Sequence, residues 1–374
     1  MIKDLVKNLR RILRDVGRVF GPTGEIAAES IGDIIEGGFA VITETSEDIF
    51  SFARKTTGII IAKMLEILGP PRSELYEAAR HLILAGGKYI RPNLVLLGAE
   101  AVGGDASKVL ALAAGSEFGH VASLIHDDII DRDETRRGVP AVHVKYGVPT
   151  AILAGDLLIV KSFQTLIHAM KEADIPPETI VKVLELACES GIRIDEGEFD
   201  DIMLSIEKMD ERRYIDLVEK KTAEAIKTSL MVGALVGGGT EKEVKILGEY
   251  GRLIGIAYQI RDDILGVYGI SSKTGKPARD IHERRKNYLL IYAYNHAKGE
   301  DKRFLDKYLR KRTVTEEDVR RVLEIIEKTG ALEAAIKKIH ELSEKGKEAL
   351  KPLKETKAKR ILLKVADALA ERTY

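Results

Sequence analysis

The chain of 374 residues has no tryptophan, a single cysteine, ten prolines and only two glutamines, Gln164 and Gln259. One thiol, Cys188, excludes an intrachain disulfide and points to a reducing, cytoplasmic setting. Its place beside the apolar run 180–187 predicts a small core filler. Neither sign of charge is in excess: 59 basic and 59 acidic residues cancel, which argues against general nucleic-acid binding. No uncharged apolar run reaches the roughly 18 residues of a bilayer span, and no signal-peptide pattern opens the sequence. A Ser/Pro-rich linker, a low-complexity tract and a repeat of fixed period are all missing, so composition does not divide the chain despite its length. Hairpin dipeptides between alternating apolar runs are missing too, which speaks against a β fold.

What is present is 45% hydrophobic residues, set at a helical period in nearly every segment, and this predicts an all-α bundle. Residues 3–20 have two clean faces. Leu5, Val6, Leu9, Ile12, Leu13, Val16 and Phe20 share one side; Lys3, Lys7, Arg10, Arg11, Arg14 and Arg18 occupy the other. From 21 to 50 the balance reverses, with seven acids from Glu25 to Asp48 and no basic residue. Either the basic face pairs with this acidic run while the apolar face docks on the bundle, or residues 1–20 make weak contact with an anionic membrane surface. A helix is expected over 51–68, stopped by Gly69-Pro70-Pro71.

The stretch His126-Asp127-Asp128-Ile129-Ile130-Asp131 ends another apolar helix. Asp127 and Asp131 stack one turn apart there and suit a hard cation whose remaining ligands are phosphates and water. Arg136 and Arg137 follow, with planar forks that fit phosphate oxygens, so the stretch reads as a metal-bridged diphosphate clamp. A solvated acidic helix end followed by a basic loop is the plainer alternative. The run Gln259-Ile260-Arg261-Asp262-Asp263-Ile264-Leu265-Gly266 repeats the acid pair, with Lys276 and Asp280 beyond it. Lys88 and Arg91 follow Gly86-Gly87, as a substrate mouth or as basic residues after a glycine cap. His120 lies two turns before the acids, where a lone histidine is often core. Lys221 falls in an apolar helix and requires an anionic partner.

Four ordered motifs, 86–92, 126–138, 221–222 and 259–266, make the chain resemble the trans-isoprenyl diphosphate synthases, most closely the archaeal geranylgeranyl diphosphate synthase group. The resemblance covers about residues 71–374 and leaves a helical extension at 1–60 ahead of a synthase domain at 61–374. It implies the isoprenoid synthase fold, a helical bundle around a central active-site cavity faced by both acid clusters, and a homodimer. The implied activity is magnesium-dependent condensation of isopentenyl diphosphate with an allylic diphosphate to an all-trans product of geranylgeranyl length or longer.

Metal ligation is implied for Asp127, Asp128, Asp131 and Asp262, with three ions. Asp127, Asp131, Arg136, Lys221, Asp262 and Lys276 are the implied catalytic set. Substrate is held by Lys88, Arg91, His120 and Arg137 around isopentenyl diphosphate, and by Arg136, Lys221, Thr222, Gln259 and Lys276. Gly119, Ala122 and Ser123, all small and counted back from Asp127, are the implied chain-length positions. Three residues depart from the pattern: Glu198 stands where glutamine is usual, Gly266 where a third aspartate is, and Arg284 where glycine is. A terpene cyclase, or a non-catalytic regulatory subunit, are the rival readings.

Overall fold

The computed structural model describes residues 49–269 and 278–371. The two-faced helix expected at 3–20, the acidic run and Lys276 lie outside the described residues. The chain divides into two compact units, the first made of Met1–Leu186, Ser229–Lys245 and Leu353–Leu362, the second of Ala187–Thr228, Ile246–Pro352 and Leu363–Tyr374. As expected, the regular secondary structure of the described residues is helical apart from one pair of two-residue strands.

In the first unit α1 (Ile49–Leu68), α2 (Glu74–Leu84), α3 (Ile90–Ala101), α4 (Leu110–Ile130), α5 (Val142–Tyr146) and α6 (Val148–Glu172) follow one another. α4 packs against α1, α3 and α6. It can do so because Leu112, Ala113, Ala114, Phe118, Val121, Ala122 and Ile125 bury apolar surface around most of its circumference. α1 runs through residue 60 without a break and buries Phe52, Ile60, Met64 and Leu68. Its Thr56 hydroxyl bonds the buried Asn93, whose amide donates to the Tyr89 carbonyl at 2.7 Å. The helix before the matched region therefore props the loop that carries Lys88.

α6 and the segment Ala106–Ile130 are each long and apolar enough to cross a bilayer. A search for uncharged runs passes over them because each carries isolated charged residues. Here they pack on one another, and α6 leaves Ile152, Leu153 and Val160 exposed.

The strands β1 (Thr135–Arg136) and β2 (Val139–Pro140) form an antiparallel hairpin, with Thr135 opposite Pro140 and Arg136 opposite Val139. Its two-residue turn is Arg137-Gly138, both at positive φ, +53° and +77°. Two left-handed residues twist the turn in the sense that fits right-twisted strands. Arginine in the first turn position is a weak signal, and the hairpin escaped the sequence reading for that reason.

α7 (Pro177–Met203) passes from the first unit to the second. Of its run 180–187 only Val183 is buried, and Cys188 is exposed rather than a core filler, because the helix hides one narrow stripe of an apolar segment. The second unit continues with α8 (Glu211–Val218), which runs into a π-turn, Glu219–Ala223, and then α9 (Glu224–Val236). After α10 (Glu241–Tyr268) come the short α11 (Arg279–Glu283), α12 (Tyr288–His296), α13 (Gly299–Leu309), α14 (Glu316–Lys328), α15 (Ala331–Leu350) and α16 (Lys357–Glu371). α12 is started by the Asn287 side chain, which accepts from Leu290 N, and is buried on most sides by α8, α14 and α15.

Candidate functional site

In each acid pair the two neighbours do different work, because adjacent helical residues point about 100° apart. α4 ends at Ile130, so Asp127 stands on its last turn, half-buried, and Asp131 caps it, exposed, with its N–H on the Asp127 carbonyl at 2.8 Å. Asp128 turns the other way and is fully buried. Its Oδ1 accepts from Arg136 Nε at 2.7 Å and from the same guanidinium's Nη2, and Arg136 Nη2 also lies 3.3 Å from Asp133 Oδ2. Asp127 and Asp131 place two hard oxygen donors one turn apart, a set that fits magnesium or calcium. Among the described residues no three His, Cys, Asp or Glu side chains converge, so an ion here takes its other ligands from phosphate or water.

Beside this turn the hairpin and the loop before α3 gather the basic groups. Gly86 adopts φ +81°, and Lys88 is exposed while Tyr89 is buried with its hydroxyl on the Ile83 carbonyl at 3.1 Å. Arg137 Nη1 donates to the Leu82 carbonyl at 2.9 Å, its guanidinium lies over the Tyr89 ring, and Nη2 lies 3.6 Å from Glu117 Oε1. A Cβ at Gly87 would fall 2.7 Å from Arg137 Cζ, so the second glycine of the pair is the space that the guanidinium fills.

His120 sits one helical turn above Glu117 on α4. Burial, then the charges of Arg91, Arg137 and Arg136, hold its pKa well below the ordinary histidine range, so it is a neutral donor or acceptor here. Glu117 was not singled out from the sequence. Burial pushes its carboxyl up to about 7 against the pull of Arg91 and Arg137. The only signal for it was an acid in the middle of an apolar helix. Gly87→Ala is expected to displace the Arg137 guanidinium and weaken binding of inorganic diphosphate several-fold with little loss of stability, since the displaced atoms end a flexible side chain; calorimetric titration and a melting curve check both.

In the second unit Asp262 is exposed and Asp263 is buried. Asp263 accepts from Tyr214 Oη at 2.6 Å, from Tyr288 N at 2.7 Å and from Gln259 Nε2 at 2.9 Å. Gln259 Oε1 in turn accepts from Thr222 Oγ1 at 2.9 Å. Thr222 and Gln259 are therefore joined to one another, in a relay anchored on Asp263. Lys221 and Thr222 lie on the π-turn, a local widening of the helix that often marks functional positions.

The missing third aspartate has a spatial explanation. A Cβ at Gly266 would fall 2.2 Å from Asp280 Oδ2, so the Asp280 carboxylate occupies the place a side chain there would need. Burial pushes Asp280 up to about 6, opposed by Arg285 and reinforced by the charge of Asp262. Arg284 adopts φ +54°, the glycine-like conformation its position demands, with its guanidinium on the Lys311 carbonyl.

On α4 the half-buried residues Ser116, Gly119, His120, Ser123 and Asp127 form one stripe at helical spacing. Ala122 is 0% exposed and lies about 100° round the helix from Ser123, so of the three chain-length positions it faces the core and not this stripe. Two aromatic residues of the sequence, Phe118 and Phe163, are large enough to plug such a stripe; Phe118 is buried in the core and Phe163 is half-buried.

The sequence pattern described as Polyprenyl synthetase matches residues 72–326. A short chain isoprenyl diphosphate synthase of Methanothermobacter thermautotrophicus is 40% identical over 303 residues, 80% of this chain and 91% of that protein. The crystal structure of geranylgeranyl pyrophosphate synthetase from Pyrococcus horikoshii superposes with a TM-score of 0.78 at 35% identity, over 87% of this chain and 98% of that one. A geranylgeranyl pyrophosphate synthase from Corynebacterium glutamicum, solved with isoprenyl diphosphate and magnesium, aligns at TM-score 0.74 and 29% identity over 85% and 99% of the two chains. With its acid pairs, basic cluster and all-α fold, this chain belongs to the polyprenyl synthetase family.

Proposed function

We propose that the protein is a trans-prenyltransferase that joins isopentenyl diphosphate to an allylic diphosphate and releases a product of geranylgeranyl length or longer. The observation that carries the reading is the group Arg91, Arg136 and Arg137 about a neutral His120, of which His120, Arg136 and Arg137 lie close along the chain to Asp127 and Asp131. A cyclase needs no second diphosphate site, and this cluster is one. Gly266, Glu198 and Arg284 kept a non-catalytic subunit open as the rival; Gly266 and Arg284 have a steric and a conformational accommodation in the fold, and Glu198 pairs with Lys221.

Divalent cations, three magnesium ions in this reading, would sit on Asp127, Asp131 and Asp262 and supply positive charge to the leaving diphosphate. Asp128 is not assigned as a ligand, because its oxygen serves Arg136. Asp280 joins Asp262 as a second carboxylate. Lys88, Arg91 and Arg137 bind the diphosphate of isopentenyl diphosphate, and His120 donates to it. Arg136, Lys221 and Lys276 meet the allylic diphosphate, with Thr222 and Gln259 shaping its surroundings.

As the allylic C–O bond breaks, its electron pair leaves with the diphosphate, and the positive charges of Arg136, Lys221 and Lys276 stabilise that charge. The double bond of isopentenyl diphosphate attacks the allylic cation, and the departed diphosphate takes the proton lost from the new chain. Incubating the purified full chain with labelled isopentenyl diphosphate, magnesium and an allylic starter, and weighing the product, tests the reading; no elongation would refute it.

Gly119 and Ser123 are assigned to the floor of the product tunnel. Ser123→Phe is expected to shorten the product by at least one isoprene unit. Ala122→Phe should instead destabilise the fold by about 1–3 kcal/mol through overpacking. Mass spectrometry of the products and thermal melts separate the two. A second copy of the chain is proposed to cover Ile152, Leu153 and Val160 on α6 in a homodimer, which light scattering checks. Residues 1 to about 60 were expected to be dispensable for chemistry; because α1 spans that boundary, the dispensable part is taken to lie ahead of α1, and a truncation that tests this must keep Thr56 and its bond to Asn93.

A further inference from the structure

Lys221 was expected to meet an anion, and in the fold it already meets two. Its Nζ lies 2.7 Å from Glu198 Oε2 and 2.6 Å from Asp201 Oδ2. The two acids are three residues apart on α7, hence on one face of it. The contact is not a loose surface pairing. A Cβ at Gly197 would fall 2.8 Å from Lys221 N and 2.8 Å from Lys220 Cβ, so α7 and the π-turn touch through their backbones. With the backbones in contact, the lysine stem is held beside both carboxylates.

The two acids are not equivalent. Asp201 has a second cation, Lys286, whose Nζ is 3.3 Å from its Oδ1 and also bonds its backbone carbonyl. Glu198 has Lys221 as its ion-pair partner among the described residues. When Lys221 turns to a phosphate oxygen, Asp201 stays compensated, whereas Glu198 is left as a like charge beside the phosphate. Lys221 and Lys286 against Glu198 and Asp201 make a neutral cluster, and removing the Glu198 charge alone would leave it with a surplus positive charge.

We propose that Glu198 tunes the affinity of the Lys221 subsite for the allylic diphosphate, its carboxylate holding the ammonium in the empty site and competing with the incoming phosphate for it. The inference rests on the prenyl-transfer reading and adds a residue that weakens, rather than strengthens, one substrate's binding. Glu198 acts through Lys221 and is a positioning residue. Its effect is separable from a structural one because glutamine keeps its shape and loses its charge.

The test is calorimetric titration of inorganic diphosphate, in saturating magnesium, into the full chain and into Glu198→Gln, Lys221→Gln and the double variant. Glu198→Gln should bind about tenfold more tightly, equal to about 1.4 kcal/mol. That gain should vanish in the Lys221→Gln background, as coupled neighbours require. KM for the allylic diphosphate should fall more than KM for isopentenyl diphosphate. Unchanged or weaker binding by Glu198→Gln, or a gain that survives loss of Lys221, overturns the proposal while leaving prenyl transfer intact. If the parent chain neither binds diphosphate nor elongates a starter, the functional reading fails and the proposal with it.

Discussion

Asp127→Ala is expected to lower prenyl-transfer turnover by about a thousandfold or more, with a melting temperature close to that of the parent chain. The side chain is half-buried on the last turn of α4, outside the apolar core, so its loss removes an oxygen donor and no apolar packing. Asp128→Ala should do the opposite kind of damage. Its carboxylate is fully buried against Arg136, and removing it leaves that partly buried guanidinium with Asp133 alone of the two carboxylates, at a cost of up to about 3 kcal/mol, the lower end for a broken buried pair. Rates measured with saturating magnesium, set beside urea unfolding, separate the two. Near-normal turnover in Asp127→Ala would end the metal-assisted mechanism.

The second large effect is expected at Asp263. Asp263→Ala leaves Tyr214 Oη, Gln259 Nε2 and the Tyr288 N–H without their acceptor, and about 3–5 kcal/mol of stability should be lost as α8 and α12 come away from α10. Asp262→Ala, at an exposed position one residue earlier, should spare the fold and reduce turnover more per folded molecule.

Burial also makes this region sensitive to pH. It pushes the Asp263 carboxyl up to about 7 against hydrogen bonds from Tyr214, Gln259 and the Tyr288 N–H, and it lifts Glu117 to about 7 and Asp280 to about 6. A carboxyl whose pKa is higher folded than unfolded lets the folded chain hold more protons. Its contribution is complete below about pH 4 and is lost as pH rises through the folded pKa. Without metal, stability should therefore fall from about pH 5 to 8. Glu117→Gln should flatten that fall by up to about 1.4 kcal/mol per pH unit below pH 7, measured by urea unfolding in chelator.

Local chemistry carries its own signature, and the sequence determined what depends on it. The helical period fixed the all-α class, since an apolar stripe repeats within a few residues whatever it packs against. Helix starts and stops were legible for the same reason: α1 ends at Gly69-Pro70-Pro71, and α12 starts on Asn287. The spacing of Asp127 and Asp131 put two carboxylates on one helical face before any contact was known. Which acid of a pair turns outward could not be read, because Asp127 and Asp128 are chemically alike and only the neighbour that α4 packs against distinguishes them.

Tertiary structure alone decided the contacts between distant segments. Gly87 and Arg137 are 50 residues apart in sequence, and the glycine's purpose is visible only when the guanidinium fills its space. The same holds for Gly266 and Asp280, where an absent aspartate is matched by one that arrives from a later helix. Glu117, isolated in an apolar run, acquires meaning only from the arginines brought over it, and Ala122 is buried where its neighbour Ser123 is half-buried, because burial depends on what lies beside the helix. Gly138 suits its left-handed turn by itself, but Arg137 beside it is held in the same conformation by the Leu82 carbonyl and Glu117, contacts from distant segments. Short-range pattern sets the elements; the space left between them sets which side chains are free to act.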